Sequence, residues 1–218
     1  MRLQRSLLLA LVLIAASAAV GVWAWRMLPA GAQIATHFGL SGEPNGFMSK
    51  GPGLAVAPIA GFLVVLLLAV APRWTRGGEA LVRSGVYGIL MIGAAAMFLV
   101  AEAALAMHAL DPSFDVMRWI FVALGILFVV IGAVLGRIPP NGLAGVRTPW
   151  TLADADVWVR THRFTGRLLT LGGVALAAVA TLGADHVDLI VALVVCILGP
   201  ALAGVIYSRA IAKPAAGG

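Results

Sequence analysis

The sequence predicts an all-α, polytopic membrane protein: six transmembrane helices, with a short amphipathic cytoplasmic helix between the fourth and the fifth. Three observations predict it. First, 61% of the 218 residues are hydrophobic and 11% are charged, and the mean hydropathy is +1.03. A soluble domain carries about a quarter charged residues, so this composition suits a surface solvated by lipid. Second, the apolar residues fall into six runs, at about 7–28, 54–71, 84–107, 117–136, 168–183 and 187–207. These lengths approach or exceed what a helix needs to cross about 30 Å of hydrocarbon. Third, Lys and Arg gather at the ends of the runs, where membrane proteins place them.

The first run follows Arg2 and Arg5 and ends at Trp23 and Trp25. A positive start and the small residues Ala15 to Ala19 also fit a signal peptide. The two Trp favour a span closed by an interfacial aromatic belt. Residues 29–52 form a polar, turn-rich outer loop, with Gly39, Gly42, Pro44, Asn45 and Gly46 as turn formers and Gly51, Pro52 and Gly53 closing it. Pro58 lies near the start of the second span, where a missing N–H costs little. Pro200 lies inside the sixth and predicts a kink. Gly172, Gly173, Ala175, Ala177 and Ala178 allow close approach of the fifth span to a neighbour. Arg209 and Lys213 lie on a frayed tail. No internal repeat is evident, so an inverted-repeat transporter is not supported. The whole chain is expected to form one membrane domain.

Orientation follows from charge. With a cytoplasmic N-terminus, twelve of the 15 Lys and Arg fall inside: Arg2, Arg5, Arg73, Arg76, Arg83, Arg137, Arg147, Arg160, Arg163, Arg167, Arg209 and Lys213. Arg26, Lys50 and Arg118 fall outside. Cationic loops stay on the cytoplasmic side, so both termini are expected there and the 29–52 loop outside. The net charge of +6 is dispersed among loops and forms no basic face for nucleic acid. The single Cys196 can make neither an internal disulfide nor a Cys-based zinc site.

Residues 141–166 are the longest polar stretch, with two Trp, three Arg, two Asp, one His and three Gly in 26 residues. Within the polar segment 137–167, Pro149 biases Thr148 away from helix. Thr151 reads as an N-cap, with Asp154 completing a capping box. A short helix is expected from about Leu152 to Arg163. Asp156 and Arg160 stand four apart on it, and Trp150, Trp158 and Phe164 are placed at the interface with Arg163 and Arg167 near lipid phosphates. Arg147, held in a turn, is a candidate for a bidentate carboxylate pair. Either Asp154, Asp156 or Glu79 makes it an internal latch, or a partner's carboxylate makes it a binding residue.

The patterns Gly145-Val-Arg-Thr-Pro-Trp-Thr-Leu152 and Val157-Trp-x-x-Thr-His-Arg-x-x-Gly166 resemble the signature of the SdpI family of bacterial integral membrane immunity proteins. Upstream, Thr36-His37-Phe38, Gly42-Glu43-Pro44-Asn45-Gly46 and Ser49-Lys50 resemble a segment that accompanies it in many members. The resemblance implies resistance to a secreted, membrane-active peptide toxin. It also implies a possible second role, holding a transcriptional repressor at the membrane. The residues carried over for ligand or partner binding are His37, Phe38, Gly42, Pro44 and Lys50 in the outer loop. In the inner segment they are Arg147, Thr148, Pro149, Trp150, Thr151, Trp158, Thr161, His162 and Arg163, with Gly145 and Gly166.

Glu43 and Glu102 join the candidate list from the residues themselves. Glu102 is the one carboxylate inside a predicted span, which makes it a functional candidate. It is expected near the outer end of its helix, reaching water or pairing with Arg26 or Arg118, with His108 close by. A small transporter or envelope-stress protein using Glu102 is the alternative reading. One His and one carboxylate in the outer loop do not make a metal site, and His186, beside Asp185 and Asp188, is expected to be solvated. No H-E-x-x-H, G-x-S-x-G or P-loop pattern is present. An enzyme, for which His162 and the nearby Asp residues would be the only reasonable actors, is therefore not expected, and neither is a cofactor.

Overall fold

In the computed structural model, residues 2–212 are described. Met1 and residues 213–218 lie outside them, and with them Lys213 and the end of the expected tail; Arg209, expected on that tail, is instead in the last turn of α8. Six helices are long and apolar enough to span a membrane. They are α1 (Arg2–Met27), α2 (Lys50–Val70), α4 (Val86–Leu110), α5 (Val116–Leu135), α7 (Ala155–Thr181) and α8 (His186–Ile211). Two short helices, α3 (Gly78–Arg83) and α6 (Pro149–Ala153), lie between them, and so does a 3-10 turn, Ala71–Trp74. With six such helices among the described residues, the start of α1 and the end of α8 lie at one face of the bundle, called here the terminal face.

The opposite face carries an element the sequence reading did not contain. Within residues 29–52, β1 (Gln33–Phe38) and β2 (Pro44–Ser49) pair antiparallel, from Gln33 opposite Ser49 to Phe38 opposite Pro44, with irregularities around His37. Gly46 lies opposite His37 because a Cβ there would stand 2.8 Å from the His37 Cβ. The strand β2 runs directly into α2 at Lys50. Gly51, Pro52 and Gly53, read above as the end of a loop, are therefore helical. Pro52 sits in the first turn, where its missing N–H is an orphan in any case. Because α2 starts this early, Pro58 lies in its third turn, not near its start, and Leu54 O has no N–H four residues on to accept from.

The helices pair in order around the bundle: α1 with α4 and α2, α2 with α4, α4 with α5, α5 with α7, and α7 with α8. The tightest pair is α5 with α7, and glycines make it so. A Cβ at Gly166 would lie 2.5 Å from Gly132 O, and one at Gly173 would lie 2.5 Å from Gly125 O. Seven residues separate the glycines on each helix, two turns, so the two contacts stack along one seam. Backbone meets backbone there, and close dispersion contact takes over from a hydrophobic effect that lipid does not supply. Large apolar side chains point outward instead: Leu63, Leu67, Leu171 and Ile206 are all more than half exposed, as lipid-facing positions require.

Candidate functional site

The signature segment folds onto the terminal face and into it. Thr148 is the N-cap of α6, with extended backbone as the following Pro149 dictates. The capping box is Thr148 with Thr151: Thr151 N donates to Thr148 Oγ1 at 3.2 Å, and Thr148 N donates to Thr151 Oγ1 at 2.9 Å. This corrects the expected Thr151–Asp154 box. Asp154 instead caps α7, its Oδ1 accepting from the N–H groups of Asp156 and Val157. The expected short helix to Arg163 is not separate. Residues 155–163 are the first turns of α7, which continues unbroken through the fifth span.

That continuity changes where the side chains go. Trp158, expected at the interface, is fully buried, and its Nε1–H donates to Ile138 O at 2.7 Å. His162, also fully buried, stacks on it with ring centroids 4.1 Å apart. Val146 N donates to His162 Nε2 at 3.0 Å, so Nε2 is the acceptor. His162 Nδ1 therefore carries the proton and donates to Trp158 O at 2.8 Å. Gly145, at φ 113°, brings the chain over this ring, and any Cβ there would overlap His162 Nε2. Both ring nitrogens are committed and no solvent reaches them, so the geometry gives no support to His162 as a catalytic base.

Around this pair lies a buried polar nest. Thr151 Oγ1 donates to Val146 O at 2.8 Å, and Thr148 Oγ1 meets Ser208 Oγ of α8 at 3.1 Å. Thr161 and Thr165 are buried on α7 with hydroxyl oxygens that have no hydrogen-bond partner. Asn141 holds the entering loop, accepting from Leu143 N and Ala144 N while donating to Pro139 O and Ala144 O. Gly142 N donates to Arg76 O at 2.8 Å and ties the loop to the 71–77 turn. Neither Asn141 nor Ser208 was expected as a partner; an Asn-Gly dipeptide such as Asn141-Gly142 marks a turn, but nothing local marks Ser208.

The cations lie on the rim. Arg147 and Arg163 are exposed. The carboxylates expected to latch Arg147 are engaged elsewhere: Asp156 with Arg160 at 3.6 Å, Glu79 with Arg83 at 3.0 Å, and Asp154 at its helix cap. Among the described residues Arg147 makes no ion pair. Trp150 is half-buried, and Pro149 begins α6.

The hairpin face holds the outer candidates, though not as one cluster. His37 Nδ1 meets Asn45 Oδ1 at 2.6 Å on the exposed side, and Glu43 is exposed. Phe38 packs edge-on against His108 at 5.5 Å. Lys50 is buried; its Nζ donates to Leu28 O at 2.6 Å and lies 4.9 Å from the centroid of the Trp25 ring. His186 is not solvated as expected. Its Nε2 meets Asp115 Oδ1 at 3.0 Å, and Gly42, at φ 82°, closes over the ring so tightly that a Cβ would overlap it. Asp115 also accepts from Arg118 Nε at 3.0 Å, while Arg118 donates onward to Ala180 O and Ala184 O at the end of α7. Partial burial opposes ionisation of Asp115, but the Arg118 backbone N–H, the His186 bond and the adjacent Arg118 guanidinium outweigh it and hold the carboxyl below its ordinary range.

Glu102 departs most from expectation. It is fully buried, reaches neither water nor Arg26 nor Arg118, and both carboxyl oxygens lack a hydrogen-bond partner. His108 does not join it, because its Nδ1 is bonded to Phe114 O at 2.9 Å.

The fold and these two faces define a multi-pass α-helical membrane protein. Residues 137–208, from just after α5 through most of α8, match the model of the SdpI/YfhL protein family. Residues 12–62, most of α1 with the hairpin and half of α2, match a domain of unknown function, DUF1648. A stretch of 74 residues is 31% identical to the Immunity protein SdpI of Bacillus subtilis (strain 168). It covers 34% of this chain and 36% of that protein, so the chain spans about a third of the curated relative it matches. No solved structure matches the chain.

Proposed function

We propose that this chain is a single-domain immunity protein of the bacterial cytoplasmic membrane, protecting against a secreted, membrane-active peptide, with no catalytic step of its own. The observation that carries the reading is the 31% identity to a protein named for immunity. The charge distribution supports both termini in the cytoplasm. Of the three cations on the hairpin face, Lys50 and Arg118 are bonded to backbone carbonyls, and Arg26 is exposed.

The hairpin is then external and meets the peptide. Its Phe47 is 58% exposed and its Leu40 71% exposed, an apolar surface beside two strand edges that an extended peptide can extend by backbone pairing. Inside, the exposed Arg147 offers a planar fork to a carboxylate of a cytoplasmic partner, such as a repressor held at the membrane. Anionic lipid headgroups meet the exposed Arg163. The test is a toxin challenge in a susceptible strain with membrane insertion verified. Wild type should protect, and Phe47→Ser should reduce protection. Arg147→Ala should leave survival intact but abolish capture of cytoplasmic partners. Failure of wild type to protect would refute the immunity reading.

A second reading, a small transporter or envelope-stress protein, draws on the unpartnered Glu102. It requires Glu102→Gln to abolish solute flux, whereas immunity requires the hairpin variants to matter more.

A further inference from the structure

Glu102 is the only one of the nine acidic residues more than a turn inside a spanning helix. It lies where α1, α2 and α4 meet. A Cβ placed on Gly21 would stand 2.7 Å from Glu102 Oε1 and 2.9 Å from Leu54 O. The carboxyl and the carbonyl therefore flank one point, and Gly21 is glycine because that point must stay open to them. Leu54 O is also the carbonyl that Pro58 leaves without its helical donor. Oxygen acceptors thus converge here: both carboxyl oxygens are without a hydrogen-bond partner, and the carbonyl lacks the N–H that Pro58 cannot supply.

Such a set costs free energy unless something positive joins it. The neighbouring elements do not supply it. Arg26 of α1 is exposed, Lys50 of α2 is bonded to Leu28 O, and His37 of β1 to Asn45. His108 of α4 is bonded to Phe114 O, and Arg118 of α5 to Asp115 and two carbonyls. A divalent metal calls for more carboxylates than one. A single carboxylate with a neutral carbonyl balances one positive charge, and hard oxygen donors suit an alkali ion or a proton. An apolar groove of about 640 Å³ between α1 and α2 has Gly21 and Leu54 in its wall.

We propose that the Glu102 carboxylate and the Leu54 carbonyl form a site for one singly charged cation, Na⁺ or a proton, in the hairpin half of the bundle. The test uses the full chain in lipid nanodiscs, wild type and Glu102→Gln. Difference infrared spectra of the carboxylic C=O stretch are recorded at neutral pH in choline chloride and in NaCl, with melting curves alongside. The expected result is a buried-acid band in choline that Glu102→Gln removes. Its loss in NaCl, with a higher Tm that the variant does not show, identifies Na⁺; indifference to NaCl identifies the proton. Absence of the band together with identical NaCl responses in the two proteins overturns the proposal. Glu102→Gln removes no existing bond and should melt as wild type does; should it fail to fold, Glu102→Asp, which keeps the acid and moves its band, carries the same test.

Discussion

The Trp158–His162 pair of the signature half and Glu102 of the hairpin half are buried polar groups in opposite conditions. In the signature half, Trp158 and His162 have every polar ring atom bonded at 2.7 to 3.0 Å. In the hairpin half, Glu102 is equally buried and has no partner at all. Yet both sites sit against glycine, Gly145 over the imidazole and Gly21 beside the carboxyl. A satisfied buried group fixes one arrangement of its neighbours, because any change strands a donor or acceptor. An unsatisfied one fixes nothing and keeps its capacity for something brought from outside. In this chain Trp158 and His162 thus have their polar atoms committed to the fold, while the carboxyl of Glu102 is left uncommitted.

The sharpest way to break that contrast is to remove both residues. His162→Ala leaves a cavity and strands Val146 N–H, so it should cost about 4 kcal/mol in reversible unfolding, against a change within about 1 kcal/mol for Glu102→Gln. Equal costs would end the comparison. Gly166→Ala tests whether the signature half also depends on its seam. Its Cβ meets backbone and not a movable side chain, so about 2–3 kcal/mol should be lost, and a neutral result would mean the two helices separate freely.

Acid sharpens the comparison from the hairpin side. The Asp115 carboxyl is held below its ordinary range in the folded protein. Its contribution is therefore complete above the unfolded value and is lost as pH falls through the lower, folded one. The Tm should drop below about pH 4, and Asp115→Asn should flatten that limb. The smallest effect belongs to the exposed Arg83–Glu79 pair, 71% and 87% exposed, where Glu79→Gln should change stability by less than about 0.5 kcal/mol.

The six spans were legible because lipid leaves a chain few ways to satisfy its backbone, and hydropathy reports that constraint directly. The hairpin was not, because Pro44-Asn45-Gly46 reads as turn although it lies within a strand. The start of α2 was masked in the same way by Gly51-Pro52-Gly53. In the signature segment the residue types were legible but their directions were not. Trp158 and Arg163 read alike as interfacial residues, and only the continuation of α7 into the span decides that one is core and the other rim. The fate of Glu102 depended on which helices surround it, which no local pattern encodes.

The unbroken course of α7 has a mechanical consequence. At 1.5 Å per residue its 27 residues form a strut of about 40 Å. Its far end is gripped through Arg118 by Asp115, which also holds His186 beneath Gly42 of the hairpin. Its near end carries Trp158 and His162, wedged under the loop that presents Arg147. The hairpin anchor and the loop that presents Arg147 are thus tied to opposite ends of one helix.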